Sequence, residues 1–155
     1  FHAGVVLRNI LFRLPARTTK QVIPWVTYTD PELAHVGMLE SEAREKFGKI
    51  SVLRWPVAEN DRARAQGDLD GLIKIVSTTK GRILGVQIVA RNAGDLLLPW
   101  VMAVARREEL STMAGLMAPY PTYSELGKRA AGTFFAPALA SRRVKSLVRL
   151  LARLG

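Results

Sequence analysis

The stretch GLIKIVSTTKGRILGVQIVA, residues 71–90, decides the fold class. Two β-branched runs flank a Thr-Lys-Gly turn, and a pair of such runs around a short glycine-containing turn reads as an antiparallel hairpin. Upstream, from Trp25, the texture is that of short strands: WVTY, then AHVG, then ISVLRWPV after a short helix at about 40–47. Downstream the spacing becomes helical, at about 93–108, 111–117, 123–136 and 139–154. Strands first and helices after predict an α+β fold, an antiparallel β-sheet with helices packed on it. The chain has no internal repeat and no low-complexity tract.

Residues 1–14, FHAGVVLRNILFRL, place Val5, Val6, Ile10, Leu11 and Leu14 at helical spacing, so an extra N-terminal helix precedes this domain. Pro15 stops it. Residues 15–24 are polar and bounded by prolines, which reads as a linker. The division is therefore 1–14, a terminal helix; 15–24, a linker; and 25–155, one domain. A chain of 155 residues buries one ordinary core. Its 48% hydrophobic content with mixed charges marks it as globular rather than disordered.

The formal net charge of +10 raises nucleic acid or an anionic membrane as partners. The basicity belongs to the two ends. Residues 1–24 hold Arg8, Arg13, Arg17 and Lys20, and residues 126–155 hold seven basic residues from Lys128 to Arg153, neither stretch with an acid. All 13 acids lie in 25–125, where they slightly outnumber the bases. LASRRVKSLVRLLARL, 139–154, is a basic amphipathic helix, with Val144, Leu147, Val148, Leu151 and Leu154 as its stripe and Arg142, Lys145, Arg149 and Arg153 on another face. It suits docking on its own domain or dimer partner, and as the alternative it suits a binding module for nucleic acid or an anionic membrane. The strand region lacks the interleaved aromatic and basic residues of an RNA-binding sheet. The longest uncharged apolar run, Leu96 to Ala105, is too short for a bilayer, which needs about 20 residues. No nucleic-acid partner and no stable membrane insertion are expected, and the absence of cysteine fits a cytoplasmic setting.

Signatures of chemistry are sparse. No G-x-G-x-x-G follows a strand, and no G-x-x-x-x-G-K-[ST] or G-x-S-x-G occurs. His2 and His35 lack metal-ligand spacing and read as structural or solvated, so no metal site is expected. Glu108 and Glu109 read as solvated charge at a helix end, and Asp61, Arg62 and Arg64 as a surface loop. APYPTYSELGKRAAGTFF, 118–135, is the exception. Thr122 can cap a helix and Glu125, three residues on, can close a capping box. The open question is whether the stretch also presents a functional phenol and carboxylate.

At this stretch the chain resembles the C-terminal dimerisation domain of the FAD-dependent pyridine nucleotide-disulfide oxidoreductases. IPWVTYTDPELAHVG, 23–37, resembles the segment opening that domain, with Thr29, Pro31-Glu32 and Val36-Gly37 in place. RARAQGDLDGLIKIV and GRILGVQIVARNAGDLL resemble its middle strands and the helix after them. Tyr120-Pro121-Thr122-x-x-Glu125 falls where the family has His-Pro-Thr-x-x-Glu. FHAGVVLRNILF resembles the helix that closes the family's FAD domain after a Gly-Asp motif, and the chain opens at Phe1 rather than methionine, so it is expected to be a piece of a longer protein.

The resemblance implies a homodimer in which Tyr120 and Glu125 enter the partner's active site as catalytic residues, with Tyr120 and Pro121 beside its cofactor. It implies FAD and NAD(P)H in the parent, bound by upstream FAD and NAD(P) domains, and no cofactor or activity in this piece. In most members a histidine paired with the glutamate is the general acid/base beside a reactive thiolate. Tyr120 stands there instead. A phenol with pKa near 10 donates hydrogen bonds at neutral pH where an imidazole near 6.5 exchanges protons. Tyrosine at this place resembles the mercuric-reductase-like branch, where it helps bind the metal substrate. That branch's mercuric reductases also use a cysteine pair near the C-terminus, whereas this chain ends RLLARLG. The resemblance thus implies a mercuric-reductase-like oxidoreductase of unassigned substrate.

Overall fold

A computed structural model describes residues 2–15 and 22–152. The five strands form one antiparallel sheet in the order β1-β2-β5-β4-β3: β1 is Trp25–Thr27, β2 Glu32–Gly37, β3 Ile50–Pro56, β4 Leu72–Thr78 and β5 Ile83–Ala90. The hairpin of 71–90 is its centre. Strand β4 pairs Ile73 with Ile88 and Ile75 with Val86, and β2 pairs Ala34 with Ile88 and Val36 with Val86. These residues are almost completely buried on one face, as the two-residue side-chain period of a strand dictates. At the turn Gly81 has φ +94°, a conformation that favours glycine.

Helix α1 is His2–Leu11, α2 Glu40–Phe47, α3 Asp61–Gln66, α4 Ala93–Arg106, α5 Leu110–Gly115, α6 Glu125–Gly132, α7 Ala136–Leu139 and α8 Arg142–Leu151. Three of the helices, α4, α5 and α6, cover that buried face. Leu97 and Trp100 of α4, Leu110 and Met113 of α5, and Leu126 and Ala130 of α6 join the sheet's buried side chains in the main core. On the other face α2 adds a small cluster of Ala43 with Val76 and Leu84. The architecture is the α+β sheet with packed helices that the order of patterns predicts. No helix among the described residues is long and apolar enough to cross a membrane.

Three local expectations need correcting. Asp61, Arg62 and Arg64 lie on α3 rather than in a loop, because Asn60 accepts a hydrogen bond from Ala63 N–H at 3.0 Å and Gly67, at φ +75°, closes the other end. The helix expected at 123–136 is divided into α6, a tighter turn at Thr133–Phe135 and α7, and begins only at Glu125. The capping box does not form: the Thr122 hydroxyl donates back to Pro119 O at 2.7 Å, and Ser124, at the cap position, makes no side-chain cap. Of the expected linker, residues 16–21 lie outside the described residues, as do 153–154 of the helix expected at 139–154, of which α7 holds Leu139 and α8 runs over Arg142–Leu151. Helix α1 forms at the N-terminus, with Ile10 and Leu11 about two-thirds exposed.

Candidate functional site

The segment Pro119–Ser124 links α5 to α6 and lies over α3, far away in sequence. Three side-chain hydrogen bonds hold it there. Asn60 Nδ2 donates to Thr122 O at 3.0 Å. The Tyr120 hydroxyl donates to Asp61 Oδ2 at 3.1 Å, and the Tyr123 hydroxyl donates to Asp68 Oδ2 at 2.5 Å. Asp68 in turn receives Arg91 Nη1 at 3.1 Å. The helix start and the loop after it therefore form a platform, and both the Asp30–Pro31 and Tyr120–Pro121 peptides are cis.

The two phenols differ in setting. Tyr123 is half-buried, and burial followed by its bond to the Asp68 carboxylate pushes its pKa up to about 12. The same bond, with Arg91 second, holds Asp68 below the usual carboxylate range. Tyr123 is an anchor. Tyr120 is 68% exposed. Its hydrogen bond to Asp61, and that carboxylate's charge, raise its pKa above the ordinary phenol value. At neutral pH Tyr120 is thus a neutral hydroxyl that donates, and it has no capacity to act as a base.

Glu125 is largely shielded, with its side chain 13% exposed and Arg129 Nη2 at 3.9 Å, one helical turn on. It sits at the start of α6, where a carboxylate favours the helix dipole. Pro121 lies exposed beside Tyr120. Behind the segment is a cavity of about 220 Å³, lined by Trp100, Met113, Leu116, Tyr123 and Leu126, with Asp95 and Lys128 among its polar residues.

Of the two histidines, the His2 side chain lies outside the described residues. His35 is buried between Gln87 Nε2, which donates to its Nδ1 at 3.1 Å, and Gly37 O, which accepts from its Nε2 at 3.0 Å. Burial lowers its pKa, and its role is structural, as expected. Glu108 and Glu109 follow α4, whose last turn ends with Arg107 at φ +57°. Among the described residues no three His, Asp or Glu side chains gather into a metal site. Asn60, Asp61 and Asp68 are the site residues that reading the sequence missed. Asn60 before an alternating Arg-Ala run closed by Gly67 is a helix start-and-stop signal that could have found the first two.

Residues 23–131 match the family model described as pyridine nucleotide-disulphide oxidoreductase, dimerisation domain. The chain is 33% identical over 135 residues to a mercuric reductase of Bacillus cereus, covering 86% of this chain and 21% of that protein. It is 36% identical over 110 residues to a dihydrolipoyl dehydrogenase of Cupriavidus necator, covering 70% of this chain and 23% of the relative. Among solved structures, LpdA from Mycobacterium tuberculosis superimposes with a TM-score of 0.75 at 25% identity, over 83% of this chain and 28% of that one. The HOCl-induced flavoprotein disulfide reductase RclA from Escherichia coli, as its Cu(II) complex, gives 0.74 at 25% identity over 83% of this chain and 30% of that one. The chain thus spans under a third of the length of these relatives.

Proposed function

The chain belongs to the pyridine nucleotide-disulphide oxidoreductase dimerisation-domain family, and from that premise we propose that it joins two subunits and presents Tyr120 to the partner's active site. The parent is then an FAD- and NAD(P)H-dependent cytoplasmic oxidoreductase with FAD and NAD(P) domains upstream. Helix α1 is the last helix of that FAD domain, 15–24 the linker, and 25–155 the dimerisation domain. The observation that carries the reading is Tyr120 itself: a phenol 68% exposed, on a segment that Asn60, Asp61 and Asp68 hold in place. An exposed polar group on a fixed backbone is what a contact offered to another subunit requires.

Tyr120 and Pro121 fit a flavin only from outside. Neither belongs to a glycine-rich turn that could cradle a dinucleotide, so they would touch the edge of a flavin held by other domains. Bound FAD supplies the acceptor for hydride from the nicotinamide. What this chain's residues add is orientation. The neutral Tyr120 hydroxyl has one proton, which it donates to Asp61 in this chain. On engagement it would turn that proton to substrate or to charge developing on it, where a histidine in the same place would exchange a proton instead. Glu125, with Arg129 at 3.9 Å and the helix dipole beside it, supports the helix start. Dithiol chemistry that needs a base at this position is therefore disfavoured, and a mercuric-reductase-like metal or other oxidised substrate is favoured. Alone, this chain is expected to be colourless and inactive, and flavin absorbance retained through its purification would refute that.

The test is made in the full-length enzyme. Tyr120→Phe is expected to lower kcat/KM by roughly ten- to a thousandfold with the dimer intact, from a lost hydrogen bond at one end to a lost transition-state donor at the other. Glu125→Gln is expected to cost only a few-fold, since it loses a 3.9 Å ion pair and a modest helix-dipole interaction and removes no group that faces the partner's site. Unchanged kinetics for Tyr120→Phe would make the phenol packing alone.

A further inference from the structure

Asn60 is 1% exposed, and the two ends of its amide serve two parts of the fold. Oδ1 accepts from Ala63 N–H and closes the start of α3. Nδ2 donates to the carbonyl of Thr122, 62 residues away in sequence. The next residue, Asp61, receives the Tyr120 hydroxyl. Side-chain chemistry limits what could do this. Aspartate caps a helix equally well but has no N–H for the carbonyl, and serine caps it with one short hydroxyl.

We infer that Asn60 is a positioning residue for the reaction: it fixes the Thr122 carbonyl and thereby sets Tyr120 over the start of α3, where Asp61 seats the phenol. The inference rests on the reading of Tyr120 as a substrate contact. The Tyr120–Asp61 bond joins two exposed groups and holds little on its own, because water competes for both. The Asn60–Thr122 bond is screened from water at the Asn60 end, and the other hydrogen bond of that carbonyl, from Glu125 N–H at 3.4 Å, is local to the start of α6 and ties the segment to nothing on α3. One buried amide thus couples the register of the segment to the helix on which it lies.

The coupling has a signature that ordinary stabilisation lacks. The charged groups that act on the Tyr120 phenol are Asp61, then Glu125 and Arg129. Asn60→Asp adds a negative charge close by, which by itself raises a phenol's titration midpoint. Release of Tyr120 from Asp61 lowers it. The sign of the change therefore separates the two effects.

The experiment is a pH titration of the chain labelled with 13C-tyrosine, the ring signals assigned with Tyr120→Phe and Tyr123→Phe. Asp61→Asn should lower the Tyr120 midpoint by removing the acceptor. Asn60→Asp should also lower it while leaving the amide spectrum folded, because the acceptor for Ala63 N–H is kept. Asn60→Ser, which keeps a capping oxygen and loses the donor, serves if the aspartate variant does not fold and should give the same fall. A midpoint unchanged or raised in the Asn60 variants, with Asp61→Asn lowering it, overturns the inference. In the full-length enzyme Asn60→Asp should lower kcat/KM about tenfold, and should add little further loss to Tyr120→Phe, since it acts through the contact that Tyr120→Phe already removes. Additive losses would show that Asn60 acts elsewhere. A silent Tyr120→Phe with the titration as expected would remove the functional reading and leave the clamp standing; a costly Tyr120→Phe with the titration unchanged would do the reverse.

Discussion

Glu40 shows how much one side chain can gather. Its carboxylate meets Lys74 Nζ at 2.7 Å, Arg44 at 2.8 Å and Arg54 at 3.1 Å, from β4, α2 and β3. The Lys74 bond first, and Arg44 second, hold its pKa down at about 2, from an ordinary 4.5. A depressed carboxylate pKa means that the unfolded chain takes up the proton first as pH falls. The contribution is fully present above about pH 4.5 and is lost towards about pH 2. Glu40→Gln should therefore lower stability at pH 7, where the contribution is fully present, and flatten the acid limb of a stability-against-pH curve over that window, converging on the wild type towards about pH 2. An unchanged acid limb would assign the acid sensitivity to other carboxylates such as Asp68. Of this cluster only the Glu40–Arg44 spacing of four was legible in sequence. Lys74 and Arg54 enter because β3 and β4 pair them across the sheet.

Among the elements, α6 depends on one glycine. A Cβ on Gly127 would stand 2.9 Å from Trp100 Cζ2 and 3.1 Å from its Nε1, on the buried indole of α4. Closeness here is required because α6 begins directly after the Tyr120 segment, so any outward shift moves both. Gly127→Ala should destabilise the domain by about 1–3 kcal/mol through overpacking, despite alanine's better helix propensity. For a chain of this size that is a fall in Tm of roughly 2–12 °C. A raised Tm would show that the indole yields and that propensity wins. The glycine and the helical spacing were both visible in sequence, but not what faced them. The failed capping box has the same origin. Thr122 and Glu125 have the right spacing, yet the Thr122 hydroxyl turns back to donate to Pro119 O, and the Glu125 N–H that it would have capped donates to the Thr122 carbonyl instead, at 3.4 Å.

For the whole molecule, the helical layer does not bury all the apolar surface its sequence carries. Leu97 and Trp100 are buried as the pattern of α4 demands, while Leu98 is 64% exposed, Met102 50% and Met117 96%. Pro99, Met102, Met113 and Leu116 line one groove between α4 and α5. Exposed apolar ground of this kind, in a dimerisation domain, is expected to be the subunit contact. The chain should sediment as a homodimer at tens of micromolar, and Leu98→Glu with Met102→Glu should convert it to a folded monomer. A wild-type monomer at that concentration would count against the assignment. Sequence alone determined the sheet and its helical cover, because strand and helix periods are local and each apolar face must be buried somewhere. It also marked the Tyr120 segment, since its motif is contiguous. Only the tertiary structure decided that Asn60, Asp61 and Asp68 hold that segment, and that Asp61 takes the Tyr120 hydroxyl's hydrogen bond. Contacts between residues some sixty positions apart follow from how the 119–124 segment lies over α3 and the loop after it, and no local pattern in the chain encodes that packing.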